Sequence, residues 1–283
     1  MRAGSRLGII AGGGVLPARV AAAARASGDD VFLVGLDGYA EPATFARFPH
    51  EMVRLGAAGR ILSVLRERSC QRVVLIGTVR RPSLLDLRPD AEGTRILARI
   101  GRAAFAGDDG LLAAVIRVLR DEGFEVIGAH DVLRNALAPY GVQGCIQPDD
   151  AALADIARGV EVANALGRAD VGQGCVVQQG IVLAVEAAEG TDAMLARCAG
   201  LARSGPGGVL VKLVKPGQER RADLPTLGLN TVRAAASAGL RGIAYEGEGA
   251  LFDDRDAAIE AADAEGLFLI GLDPASFTSR NKG

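Results

Sequence analysis

Lys212 interrupts "GVLVKLVK", a run otherwise apolar from Val209 to Val214. Strand alternation puts it on the face of Leu210 and Val214, and a lysine is almost never fully buried without a partner. On an edge strand the side chain would snorkel to water. On a central strand the ammonium needs a carboxylate or a bound phosphate. In the stretch that follows, "KPGQERRADLPTLGLNT", Lys215, Arg220 and Arg221 surround Asp223, and Pro216 and Pro225 fix the backbone. A lone Asp among basic side chains has its ionised form favoured, the form that binds a metal or orients a water. A charge run is ordinarily a solvated turn; beside Lys212 this one reads as part of a phosphate site.

Other segments offer complementary chemistry. In "VLAVEAAEGTDAMLAR", Glu186 falls where an apolar strand ends, Glu189-Gly190 makes a turn, and Thr191 is placed to cap the next helix. Glu186 and Asp192 with Glu189 suit a hard, oxygen-loving cation such as Mg²⁺, which takes one or two protein carboxylates; Asp192 alone is explained by the helix dipole. "AGGGVLP" puts Gly12, Gly13 and Gly14 between a strand and a helix, where backbone N–H groups approach a phosphate. The dinucleotide spacing fails, because Pro17 stands at its third glycine position. Arg80 and Arg81, in "GTVRRP", follow a strand and suit phosphate oxygens, or equally an ion pair with Asp86. Asp108 and Asp109 in "GDDGLL" are explained by helix capping, and "DVGQG" by a glycine-rich turn.

The elements that must position these residues follow from periodicity. The opening "RLGIIAGGGVLPARVAAAARASGDDVFLVGL" reads as strand, turn, helix (Leu16 to Ala26) and strand. The alternation continues with a helix at Gly59 to Arg68, the strand "RVVLIGTV", helices at Thr94 to Phe105 and from Asp108, and the strand "FEVIGA". This predicts an α/β protein with a Rossmann-like, mostly parallel sheet covered by helices on both faces. A Pro- and Gly-rich stretch, Ala138 to Asp150, ends it, giving domains 1–138 and 139–283. The second is also α/β, with a helix from Asp149, paired strands around Gln179-Gly180, the Lys212 strand, a helix near Asn230 and a frayed tail after Pro274.

Composition narrows the function classes. Asp plus Glu (34) slightly outnumber Lys plus Arg (32), so no global field draws nucleic acid. No window approaches the roughly 20 apolar residues of a spanning helix, and the expectation is a cytoplasmic protein or one bound at a membrane surface. Four scattered cysteines without C-x-x-C predict reduced, largely buried thiols rather than zinc.

The order and spacing of "IIAGGGVLP", "VRRP", "GDDGLL", "DVGQG", "VEAAEGTDAML", "LVKLVKPGQERRADLPTLG" and "NT" resemble the LpxI family, the UDP-2,3-diacylglucosamine pyrophosphatases of lipid A biosynthesis, from about Leu7 to Leu272. The resemblance implies a Mg²⁺-dependent hydrolase that yields UMP and 2,3-diacylglucosamine 1-phosphate (lipid X) by water attack on the α-phosphorus, with the substrate between two domains. On this basis Asp223 is the critical carboxylate, holding metal or orienting water. Glu186 and Asp192 are further metal candidates, and Lys212 and Lys215 neutralise pyrophosphate charge. Arg80, Thr191, Thr226 and Asn230 contact the polar part of the substrate, and Gly12 and Gly13 the nucleotide or sugar phosphate. Expected partners are the lipid substrate and product, the cytoplasmic face of the inner membrane as a peripheral contact, and a second copy of the chain. Two alternatives stay open: a nicotinamide-dependent oxidoreductase using the glycine loop and Asp37, and a binding module that holds an acylated sugar or nucleotide without cleaving it.

Overall fold

The computed structural model describes residues 6–80, 87–101, 107–133, 136–218 and 224–278. Among them the chain forms two compact units, residues 6–133 and residues 136–218 with 224–278.

The first unit is a five-stranded, wholly parallel sheet in the order β3-β2-β1-β4-β5, from β1 (Arg6–Ala11), β2 (Asp30–Leu36), β3 (His50–Val53), β4 (Cys70–Ile76) and β5 (Glu125–Val126). β1 is buried from Leu7 onward, as in parallel sheets covered on both faces. Helix α1 (Leu16–Ala26) carries Pro17 in its first turn, where a missing N–H costs nothing, and Gly28 just past its end turns the chain at φ +89°. Helix α2 (Ala58–Glu67) follows β3. Helix α3 (Ala91–Ile100) starts three residues earlier than Thr94, because Asp90 caps it by accepting from the Gly93 N–H at 2.6 Å. Its expected last residues, 102–105, lie outside the described residues. Helix α4 is Gly107–Asp121. β5 is shorter than "FEVIGA", since the Asp131 carboxylate takes the Gly128 N–H at 2.8 Å and starts the short helix α5 (Ala129–Val132). β3 has no counterpart in the periodicity.

The second unit holds a six-stranded mixed sheet in the order β6-β13-β11-β9-β7-β8. Its parallel centre is β9 (Val209–Lys212), β11 (Gly242–Glu246) and β13 (Phe268–Leu272). β6 (Gly141–Gln143), β7 (Gly174–Gln178) and β8 (Ile181–Val185) join antiparallel. Helix α6 (Asp150–Arg168) covers the face bearing Val177, Val209 and Val211. There Gly159 permits close approach: a Cβ would lie 2.3 Å from Val211 Cγ2. The opposite face, with Val176, Leu210 and Tyr245, packs on α7 (Gly190–Cys198), α8 (Leu229–Ser237) and α9 (Arg255–Ala264). β10 (Thr226–Leu227) and β12 (Leu251–Phe252) form a separate parallel pair. The tail forms α10 (Pro274–Thr278) where fraying was expected, and residues 279–283 lie outside the described residues.

Three thiols, Cys70, Cys175 and Cys198, are buried, and Cys145 is exposed. Burial pushes the Cys70 thiol up to about 11 and that of Cys175 to about 12, so neither is a nucleophile near neutrality. Among the described residues no helix is long and apolar enough to cross a membrane.

The β7–β8 hairpin shows how the second unit pays a local conformational cost. Gln178 pairs with Ile181, and the two turn residues between them, Gln179 and Gly180, both have positive φ (+53° and +76°), as a type I′ turn requires. Glycine adopts this freely and Gln does not. Asp155, 2% exposed on α6, holds the turn by accepting from the Gln179 and Gly180 N–H groups at 3.1 and 2.7 Å. Arg241 lies 3.5 Å from the same carboxylate. Asp155→Ala should therefore destabilise this unit by about 2 kcal/mol in urea unfolding, with Asp155→Asn, which keeps one acceptor oxygen, in between. An Ala variant as stable as wild type would show that the turn does not depend on this carboxylate.

Candidate functional site

β9 lies between β7 and β11, so Lys212 stands on a central strand. It is 6% exposed and shares a face with Leu210, as alternation requires. Its Nζ donates to Thr191 Oγ1 at 2.7 Å, and Thr191 Oγ1 donates in turn to Glu186 Oε1 at 2.8 Å. The needed carboxylate is present, one hydroxyl away.

Local structure fixes all three. Glu186 directly follows β8, and its N–H donates to the Gly174 carbonyl at 2.8 Å, continuing the strand pairing by one residue. The chain then turns through Gly190 (φ +79°) into α7. Arg197 secures the turn by donating to Glu189 Oε1 at 2.9 Å and to the Val185 carbonyl. The Glu189 carboxyl is held below its usual range, first by its own backbone N–H and then by Arg197. The expected Thr191 cap is not made: α7 has Glu189 at its N-cap position without a side-chain cap, and the Thr191 hydroxyl serves Lys212 and Glu186 instead. Asp192 is exposed in the first turn of α7.

"DVGQG" proves to be the wall against Glu186. A Cβ on Gly172 would lie 2.0 Å from the Glu186 carbonyl oxygen, and one on Gly174 would lie 2.8 Å from Glu186 Oε2. That oxygen is buried and makes no hydrogen bond among the described residues. A buried carboxylate oxygen left so is costly unless something else occupies its lone pairs.

Beyond β9, "KPGQ" folds as the Pro-Gly order suggests. Gly217 has φ +85°, and the Gln218 N–H donates to the Lys215 carbonyl at 3.1 Å, the pattern of a type II turn. Gln218 Oε1 accepts from the Lys215 N–H at 2.9 Å. Lys215 Nζ reaches Asp170 Oδ1 at 2.7 Å, its side chain only 11% exposed. The Leu213 N–H donates to the Gln173 carbonyl at 2.9 Å. The segment 170–174 thus ties down both lysines' neighbourhoods, and Asp170, Gln173 and Gln218 are site residues that the sequence reading passed over. The signal for Asp170 and Gln173 was "DVGQG" itself, whose glycines mark a close backbone approach.

The remaining expected residues are placed as follows. Thr226 is half-buried on β10, and Asn230 is exposed in the first turn of α8. No hydrogen bond joins Asp192, Thr226 or Asn230 to the Lys212–Thr191–Glu186 trio among the described residues. Asp223 lies outside the described residues, as do Arg81 and Asp86. Arg80 is exposed beyond β4. In the first unit the Gly12 N–H donates to the Ile76 carbonyl and that of Gly13 to Thr78, both at 2.9 Å, while the Thr78 N–H returns to Gly13 at 3.0 Å. A Cβ on Gly12 would lie 2.7 Å from Thr78 O, and one on Gly13 2.8 Å from Tyr39 O. These glycines let β1 and β4 continue towards each other, so their N–H groups are engaged. In the dinucleotide fold the crevice between two such strands receives the pyrophosphate; here a backbone bridge spans it, which weighs against the nicotinamide alternative.

Comparison with known proteins matches residues 6–136 to the LpxI N-terminal domain and residues 139–270 to the LpxI C-terminal domain. The chain belongs to the LpxI family. This LpxI-family chain is 45% identical over 275 residues to a Caulobacter vibrioides protein named UDP-2,3-diacylglucosamine pyrophosphatase LpxI, a match covering 95% of this chain and 98% of that one. Among solved structures, a CobK precorrin-6A reductase covers 95% of this chain and 88% of its own at 11% identity and a TM-score of 0.30, too remote to carry an argument.

The two wall glycines should separate stability from side-chain placement. Gly172→Ala collides with backbone and should cost about 2 kcal/mol or more in thermal unfolding. Gly174→Ala meets the movable end of Glu186 and should stay within about 1 kcal/mol of wild type. Equal losses would mean that the Glu186 carboxylate is as immovable as the backbone.

Proposed function

We propose that this chain hydrolyses the pyrophosphate bond of UDP-2,3-diacylglucosamine, giving UMP and 2,3-diacylglucosamine 1-phosphate in lipid A biosynthesis. The observation that carries the reading is the 45% identity, across nearly the whole of both chains, to a protein of that named activity. The buried ammonium of Lys212 supplies the matching chemistry. A lysine ammonium has three donors, and Thr191 is its one hydrogen-bond partner among the described residues. Its remaining donors are available to phosphate oxygens. In a site shielded from water, a fixed positive charge stabilises charge developing on those oxygens far better than water does, without reorganisation. Lys215, held by Asp170 and the "KPGQ" turn, would add a second positive charge at the end of the same strand.

The reading includes water attack on the α-phosphorus and dependence on Mg²⁺. The buried Glu186 Oε2, without a hydrogen-bond partner among the described residues, is the kind of oxygen a hard cation takes, and one or two carboxylates suffice for Mg²⁺. Glu186 would hold the ion together with Asp223 or Asp192, and the ion when bound would neutralise pyrophosphate charge. Asp223 would serve either as that ligand or as the group orienting the water. The reaction is proposed for the cytoplasm, with peripheral contact at the inner-membrane face where an acylated substrate resides.

A ³¹P NMR time course with UDP-2,3-diacylglucosamine and Mg²⁺ in ¹⁸O-labelled water tests each part. UMP and lipid X should form, the label should enter UMP, and EDTA should stop turnover until Mg²⁺ is restored. Label in lipid X would move the attack to the β-phosphorus, and undiminished turnover in EDTA would remove the metal. No cleavage with Mg²⁺ or Mn²⁺ would sink the pyrophosphatase reading in favour of a binding module.

A further inference from the structure

The Thr191 hydroxyl has one proton and two lone pairs, and the structure accounts for the proton and one lone pair: it donates to Glu186 Oε1 and accepts from Lys212 Nζ. Without it, an ammonium and a carboxylate buried to this degree, 6% and 7% exposed, would be drawn into direct contact. A direct pair would cancel both charges and use up donors and lone pairs on each. With the hydroxyl interposed, among the described residues Glu186 spends only Oε1, its Oε2 has no hydrogen-bond partner, and Lys212 commits one of its three donors.

We propose that Thr191 is a positioning residue: it holds Lys212 and Glu186 apart and aims the ammonium at a phosphate oxygen of the substrate, without itself touching substrate. This rests on the pyrophosphatase reading of the site and revises the expectation that Thr191 is a substrate contact. The fold makes Thr suitable. A β-branched side chain has few χ1 wells, and a Thr within a helix tends to bond back to the carbonyl one turn earlier. Thr191 is only the second residue of α7, so that carbonyl is not part of the helix and the hydroxyl turns to the sheet. Gly174, opposite Lys212 on β7, leaves room for the carboxylate beside the aliphatic stem of Lys212: a Cβ there would lie 2.8 Å from Glu186 Oε2 and 3.3 Å from Lys212 Cγ.

The test is a double-mutant cycle read by calorimetric binding of inorganic pyrophosphate in EDTA, a readout that needs neither turnover nor metal. Lys212→Met and Thr191→Val should each weaken binding about tenfold or more, and Thr191→Ser should recover affinity to within about threefold of wild type. The double variant should be no weaker than Lys212→Met alone within about twofold, because Thr191 acts only through Lys212. Losses that multiply in the double variant would mean Thr191 meets the phosphate directly and would overturn the proposal. So would Thr191→Val binding as wild type does, or wild-type protein that binds no pyrophosphate. Thermal unfolding of each variant controls for folding, with Thr191→Ser as the informative one should Thr191→Val fail to fold. Lack of cleavage of the lipid substrate by wild type would count against the activity alone, since these affinities are measured without it.

Discussion

The second unit is arranged around one lysine buried in a central strand. Burial of an unpaired charge costs several kcal/mol, and a protein normally neutralises the group or pairs it tightly. At Lys212 the ammonium makes no direct ion pair among the described residues. The chain supplies a carboxylate at one remove, through Thr191, and among the described residues the carboxylate's other oxygen has no hydrogen-bond partner. Groups left incompletely satisfied in this way destabilise a fold and are found where a ligand completes them.

The neighbouring sequence bends to that requirement. Gly172 and Gly174 have no side chain because Glu186 occupies the space one would need. Arg197 closes the Glu186–Gly190 turn from the far end of α7, and Gln173 and Gln218 tie the end of β9 to the segment that packs on Glu186. These supports are hydrogen bonds within a few residues of Lys212, Lys215 and Glu186, and rigidity of that kind is what the proposed phosphate site requires, since such a site works by fixed charge. At the other end of β7, away from Lys212, a carboxylate from α6 holds the hairpin turn at Gln179-Gly180 in its left-handed conformation.

Much of this was legible because it is local. Strand alternation put Lys212 on the Leu210 face, and Gln179-Gly180 announced the hairpin. What escaped was nonlocal. Thr191 looked like a helix cap because Thr followed by a helix usually is one, but its partners lie 5 and 21 residues away and meet it only through the strand order. The triple glycine looked like an anion loop, yet two of its N–H groups go to Ile76 and Thr78, a pairing that depends on β4 lying beside β1. β5 ended early because a side chain, Asp131, competed for a backbone donor. The LpxI-family motifs were readable without any of this, since they repeat as sequence whatever contacts they make.

The measurement that bears most directly on the account is turnover of UDP-2,3-diacylglucosamine by Lys212→Met, which keeps most of the apolar stem of the side chain and removes the ammonium together with its hydrogen bond to Thr191. Loss of a preorganised charge at the reacting group costs about 10²–10³ in rate, so kcat should fall at least about a hundredfold while the variant remains folded. A folded Lys212→Met protein that turns over within about threefold of wild type would show that the buried ammonium belongs to the architecture and not to the chemistry.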